Sequence, residues 1–167
     1  GSLDCVGHEF THSLVNATAN LIYRGESGAL NESFADIFGH CVEVKGKGMD
    51  WQLLEEIKTP STSGPPERDM SNPDAGTNSD PDTYKSTANW KNTSPTAWDE
   101  GGVHSNSGVQ NFWFYLLTVG GSGTNDAPHS DAYSVTGITQ QKSEKIAYRA
   151  LTKYLSGNSD YKAARKA

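Results

Sequence analysis

His8 and His12 stand four residues apart, a spacing that stacks two imidazoles on one face of an α-helix about a turn from each other. Both rings can then reach one metal ion. Glu9 lies between them in sequence, on the adjoining side, close enough to meet a metal-bound water without ligating the metal. That is the mechanical content of His8-Glu9-Phe10-Thr11-His12. Glu32 follows in a second apolar-periodic segment, after the glycine-containing polar turn Arg24-Gly25-Glu26-Ser27-Gly28. Two helices joined by such a turn pack antiparallel and bring Glu32 to the histidine pair. Two His and one Glu leave a fourth tetrahedral position open, as catalytic zinc sites do. Asp36 is one turn beyond Glu32 on the same face, where it can accept the free ring N–H of a ligating histidine. A fold that satisfies this chain must therefore hold two antiparallel helices around one zinc ion.

Composition narrows the class. The chain has 167 residues, enough for one domain with a core, but only 34% are apolar. Loops, ions or a partner lobe must hold many of the rest. A net charge of −6 argues against nucleic acid as a partner. The acidic residues read better as cation ligands and solubilising surface. No apolar run in these residues reaches membrane-spanning length, and none of them reads as a signal peptide.

The pattern predicts helices over 3–18, starting near Ser2 or Asp4, and over 27–45, ending at Gly46 and Gly48. Residues 58–104 are rich in Pro, Ser, Asn, Asp, Thr and Gly, and read as one long irregular loop. Helical period returns over 106–118, with Val109, Phe112, Trp113, Leu116 and Leu117 in phase, and stops at Gly120-Gly121. Another helix is expected over 139–155, with Ile146, Ala150, Leu151 and Tyr154 inward and Gly157 as its stop. Ser159 can cap a last short helix. No internal repeat is present. The fold class is mainly α.

Further segments extend the pattern well beyond the zinc motif. They are Leu21-Ile22-Tyr23, Ser27-Gly28-Ala29-Leu30-Asn31-Glu32, Asp36-Ile37-Phe38-Gly39 and Arg68-Asp69-Met70-Ser71-Asn72-Pro73. Gly101-Gly102-Val103-His104-Ser105-Asn106-Ser107-Gly108 and Tyr148-Arg149-Ala150-Leu151-Thr152-Lys153-Tyr154-Leu155 complete the set. With these, the chain resembles the thermolysin-like neutral metallopeptidases, secreted two-lobed enzymes. The resemblance implies that residues 1–167 are the helical C-terminal lobe, with the β-rich N-terminal lobe and the last helices outside this chain. The N-terminal lobe of the same precursor and a peptide or protein substrate are the implied partners, and the implied location is extracellular.

The resemblance also assigns roles. Glu9 is the general base that takes a proton from the zinc-activated water and passes it to the leaving amine. His104 and Tyr23 donate to the developing oxyanion, and Asp99 orients His104. Arg68 holds a carbonyl of the bound substrate and contacts Asp36. Cys5, Leu53 and Ile57 match positions lining an apolar side-chain pocket, while Glu67 stands where the family has an apolar residue. His40 and His129 read as structural or exposed, and Phe38, Trp51 and Tyr154 as packing.

Two more expectations come from the antiparallel helix pair. If His8 meets Asp36, Asp4 comes near Glu43, and Asp50 and Glu55 follow in the next loop. Carboxylates gathered this way suit calcium, which the family binds here as one or two ions. Gln52 replaces the acid of double-site members, which leaves one full site. Cys5 likewise comes level with Cys41; in an oxidising compartment they form a disulfide, and otherwise they are two thiols acting as small hydrophobes. Two functional classes remain: a zinc endopeptidase lobe, and a zinc- and calcium-binding structural module without turnover. Glu9, Tyr23, Asp99 and His104 favour the first, because a binding module needs none of them.

Overall fold

The computed structural model describes residues 2–55 and 64–167. Two antiparallel helices carry the fold. Helix α1 spans Leu3–Ala17, with Asp4 in its first turn near the positive helix end. Helix α2 spans Gly25–Lys47; Lys45 and Lys47 sit in its last turn, and Gly48 caps it at φ +102° with its N–H on Val44 O. The run Gly28–Ile37 of α2 is buried all round, because α1, α3, α4 and α5 surround it.

Two glycines let α1 and α2 approach. A Cβ on Gly39 would lie 2.6 Å from Asp4 O and 3.1 Å from His8 N, and a Cβ on Gly7 would lie 2.9 Å from Gly39 Cα. Backbone therefore touches backbone beside the histidine pair, which sets the height of His8 against α2.

Strands β1 (Gln52–Leu53) and β2 (Arg68–Asp69) pair antiparallel, with Leu53 opposite Arg68. This small ladder delivers Arg68 to α2. Helix α3 (Trp98–Asn106) follows the long loop, then α4 (Gly108–Val119). Strands β3 (Gly120–Thr124) and β4 (Ala132–Thr136) form a hairpin from Gly120↔Thr136 to Thr124↔Ala132. Helix α5 (Gln140–Arg149) continues into a wider π-type turn, Ala150–Tyr154, before the short α6 (Tyr161–Ala164). The core joins Val15 and Leu21 to Leu30, Phe34 and Ile37 of α2, and to Leu53, Met70, Phe114, Ala147 and Leu151. No helix among the described residues is long and apolar enough to cross a membrane.

The irregular segment is ordered by side chains. Asn106 brackets Lys91, accepting from its N at 2.9 Å and donating to its O at 3.1 Å. Asp69 Oδ1 accepts from Ser71 N, Ser71 Oγ and Asn72 N. Asx-type bonds of this kind replace regular ladders in polar sequence.

Several expectations are corrected. The buried stripe of α4 is Asn111, Phe114 and Thr118, while Trp113 is exposed. In α5 and the turn after it, Ser143, Ala147 and Leu151 face in, and Ile146 and Tyr154 face out. The cap of α6 is Asp160, which accepts from Ala163 N at 2.8 Å; Ser159 Oγ accepts instead from Ser156 N. Cys5 and Cys41 are separate thiols, so no disulfide links them. Being level is not the same as facing. Gly39 marks the α1-facing stripe of α2, and Cys41, two residues on, is about 200° round the helix. There its sulfur takes a hydrogen bond from Gln140 Nε2 of α5 at 3.2 Å.

Candidate metal centre

Among the described residues, one group of His, Cys, Asp and Glu side chains brings three ligand atoms within 4.8 Å of one another: His8, His12 and Glu32. His8 Nε2 and His12 Nε2 are 3.2 Å apart, and each lies 3.5 Å from an oxygen of Glu32. A tetrahedral zinc with bonds of about 2.0–2.2 Å has ligand–ligand edges of about 3.3–3.6 Å. His8 faces Glu32 Oε2 and His12 faces Oε1, so the two rings and one carboxylate converge on a space of about the size such an ion needs.

Hydrogen bonds behind the rings decide where their lone pairs point. His8 Nδ1 donates to Asp36 Oδ1 at 2.8 Å. His12 Nδ1 is 2.8 Å from Asn31 Oδ1, and Asn31 Nδ2 donates to Leu21 O, which fixes the amide so that His12 is the donor. Both Nε2 atoms of the neutral rings therefore present lone pairs to each other. Two acceptors aimed at each other in this way are placed to share a cation. Glu32 adds to the case: it is buried, and its Oε2 has no hydrogen-bond partner.

Asp36 is the hub behind the site. Besides His8, it accepts from Arg68 Nε and Arg68 Nη2 at 2.8 Å each, and from Asn111 Nδ2 at 2.8 Å. Burial alone would raise its pKa, but the Arg68 charge and the His8 bond outweigh that and hold the carboxyl well below its usual range. Burial lowers the His8 pKa, yet the bond and charge of Asp36 leave it raised, so the ring favours a positive charge, proton or metal, at Nε2. Arg68 is buried and spends two of its nitrogens on Asp36. The expected contact with the acid behind the site is present.

In front of the triad lies an open cleft of about 580 Å³, whose wall includes Glu9, Tyr23 and His104. Glu9 is exposed on α1. The Tyr23 hydroxyl donates to Glu32 Oε1 and is 3.2 Å from His104 Nε2. Burial and the Glu32 bond raise the Tyr23 pKa, so it stays a proton donor. Asp99 takes His104 Nδ1 at 2.6 Å and His104 N at 2.9 Å. Cys5, Leu53 and Glu67 do not line this cleft; Leu53 belongs to the core instead, and Ile57 lies outside the described residues.

The family described as thermolysin metallopeptidase, alpha-helical domain, matches residues 19–167. Bacillolysin of Bacillus caldolyticus is 43% identical over 100% of this chain and 28% of its own length, which includes the histidine pair. The chain belongs to the thermolysin metallopeptidase family. Thermolysin of Alicyclobacillus acidocaldarius is equally similar, at 43% identity over 100% of this chain and 28% of its own length. A solved precursor of protealysin, a metalloproteinase from Serratia proteamaculans, superposes with a TM-score of 0.73 at 29% identity, covering 99% of this chain and 50% of the other. The chain thus spans under a third of the length of the curated thermolysin-family relatives it matches.

In this thermolysin-family lobe a second carboxylate group gathers at the far end of the helix pair. Asp4 accepts from Cys5 N at 2.7 Å and from Leu54 N at 2.6 Å, and Asp50 accepts from Gln52 N at 3.0 Å. Burial, then the charges of Asp4, Glu43 and Asp50, raise the Glu55 pKa, and Glu55 Oε2 has no hydrogen-bond partner. The four acids therefore share one neighbourhood, more loosely than His8, His12 and Glu32. Gln52 is exposed and supplies its backbone N–H to Asp50. His40 is fully buried and stacks on Trp51, while His129 is exposed and bonds Tyr84 O.

Two residues around the centre were not singled out from sequence: Asn31 and Asn111. Asn31 is legible in retrospect, since it precedes a ligand and follows the turn. Asn111 carries no local signal.

Proposed function

We propose that this chain is the catalytic helical lobe of a zinc endopeptidase. The observation that carries the reading is the convergence of His8, His12 and Glu32, whose ligand atoms lie within 4.8 Å of one another, with Glu9, Tyr23 and His104 on the wall of the same cleft. When bound, zinc acidifies a coordinated water and polarises the scissile carbonyl. Glu9 accepts the proton as the water attacks and returns it to the departing amine nitrogen. Tyr23 and His104 donate hydrogen bonds to the carbonyl oxygen as negative charge develops on it. Asp99 accepts from His104 Nδ1 and so orients the ring with Nε2 toward the cleft. Asp36 and Asn31 aim the two zinc-ligating imidazoles. Arg68, anchored on Asp36, presents its remaining edge to a carbonyl of the bound peptide.

The same reading gives the Asp4, Glu43, Asp50 and Glu55 group one calcium ion, with Gln52 at its rim. It makes the protein extracellular and makes an N-terminal lobe of the same precursor the partner that supplies the other cleft wall. The test is Glu9→Gln in protein carrying both lobes. Zinc content should be unchanged, and kcat on a peptide should fall by at least about 10²–10⁴. Robust cleavage by that variant, free of contaminating protease, would sink the mechanism.

A further inference from the structure

We infer that Asn111 is a positioning residue of the metal centre, acting on His8 through Asp36. The inference rests on the zinc reading above. Asn111 Nδ2 donates to Asp36 Oδ2 at 2.8 Å, and Asp36 Oδ1 receives His8 Nδ1 at 2.8 Å. On the other side, Asn111 Oδ1 accepts from Ser33 Oγ at 2.7 Å. Ser33, Asn111 and Asp36 are all buried to 1% exposure or less. A continuous chain of hydrogen bonds therefore runs from Ser33 through α4 to the zinc ligand on α1.

The directions in this chain are fixed. Ser33 spends its proton on the amide oxygen, so the amide NH₂ has to face Asp36. With Asn111 in place the Asp36 carboxylate has four donors, two on each oxygen. Without it, Oδ2 keeps Arg68 Nε alone, and the carboxylate is freer to turn away from His8. An Asp at 111 would instead set a second carboxylate against Asp36.

The helix itself marks Asn111 as purposeful. Asn is a weak residue in a helix interior. Its neighbours Phe112 and Trp113 offer an apolar alternative, yet α4 turns Asn111 inward at 1% exposure and leaves Trp113 at 41%. Surrendering a tryptophan to solvent in favour of an amide breaks the hydrophobic rule where the metal centre is supported, which is where such breaks are expected.

The experiment measures zinc affinity of purified protein carrying both lobes, in chelator-buffered zinc. Wild type is compared with Asn111→Ala, Ser33→Ala and the double variant. Asn111→Ala should weaken zinc about tenfold, as loss of a bond behind a ligand does. Ser33→Ala should weaken it about threefold. The double variant should be no weaker than Asn111→Ala alone, because Ser33 acts only through the amide. The cobalt-substituted visible spectrum of Asn111→Ala should also differ from wild type. Asn111→Ala that melts lower but keeps wild-type zinc affinity would make the residue merely structural and overturn the inference. Should Asn111→Ala not fold, unchanged zinc affinity in Ser33→Ala overturns it equally. A wild type that binds no zinc is a different result, and it defeats the zinc reading itself.

Discussion

Asp99 grips His104 twice, through Nδ1 at 2.6 Å and through the backbone N at 2.9 Å. One carboxylate thus sets both the tilt of the ring and the start of the helical turn that carries it. The grip depends on an unusual backbone. Asp99, Glu100, Gly101 and Gly102 all have positive φ, from +50° to +92°. Left-handed conformation costs a non-glycine residue roughly 1–2 kcal/mol, so Asp99 and Glu100 store strain at the cleft. Gly101 is there of necessity, since a Cβ would lie 2.9 Å from Thr93 O and 3.0 Å from Ser94 O.

His104→Ala should therefore lower kcat on a peptide by about 10²–10³, with KM changing less, because one oxyanion donor goes and Tyr23 stays. Steady-state kinetics on protein with both lobes checks this. A variant with wild-type kcat would remove His104 from the mechanism.

Asp36→Ala is expected to do two separable things. Zinc should bind about 10–100-fold more weakly, since His8 loses its orienting acceptor. The fold should also lose about 3–5 kcal/mol, because the buried Arg68 charge is left without its partner. Denaturant melts of the metal-free chain isolate the second effect. Adding Arg68→Met should recover much of the stability and none of the zinc affinity.

Calcium should raise the melting temperature. An ion at 100 times its Kd stabilises by about 2.7 kcal/mol if it binds only the folded state. For a chain of this size that is roughly 5–10 °C. Scanning calorimetry with zinc held constant, before and after selective calcium removal, measures it. Asp50→Asn should shrink the shift; an unchanged melting temperature on calcium removal would count against the site.

His40 makes stability depend on acid. Burial pushes its pKa from 6.5 down to about 4, against smaller upward pulls from Gln140, Asp50 and Asp4. The unfolded chain therefore takes up the proton first, and stability falls as pH drops from about 6.5 towards 4. The loss by pH 4 is about 3 kcal/mol. His40→Phe keeps a ring stacked on Trp51 and removes the titration. Unfolding free energies at pH 7 and pH 4 should show a smaller drop in the variant by about that amount, and equal drops would refute the assignment.

Much of the centre could be read from residue spacing. His8, His12, Glu32 and Asp36 are helical residues at whole-turn offsets, so helix geometry alone puts them on facing stripes, and the structure unites them. Asp99 and His104 are local for a similar reason: the clamp spans five residues across one glycine turn. Periodicity failed where a polar group was drawn inward. It put Trp113 in phase with the other apolar residues of α4, whereas Asn111 points in and Trp113 out, because the partners of that amide are on α2.

The sequence by itself determined the helix pair, the candidate donors His8, His12 and Glu32, and the family, because these depend on spacing along one chain. Tertiary structure decided which face each residue shows. Cys41 is level with Cys5 yet turns to Gln140, since register fixes height along a helix pair and only packing fixes rotation. It also decided how closely the helices meet, through Gly7 on Gly39, and so how near both imidazoles of α1 come to Glu32 of α2. Contacts among Ser33, Arg68 and Asn111 join distant segments, and no local pattern encodes a distance between segments that only folding brings together.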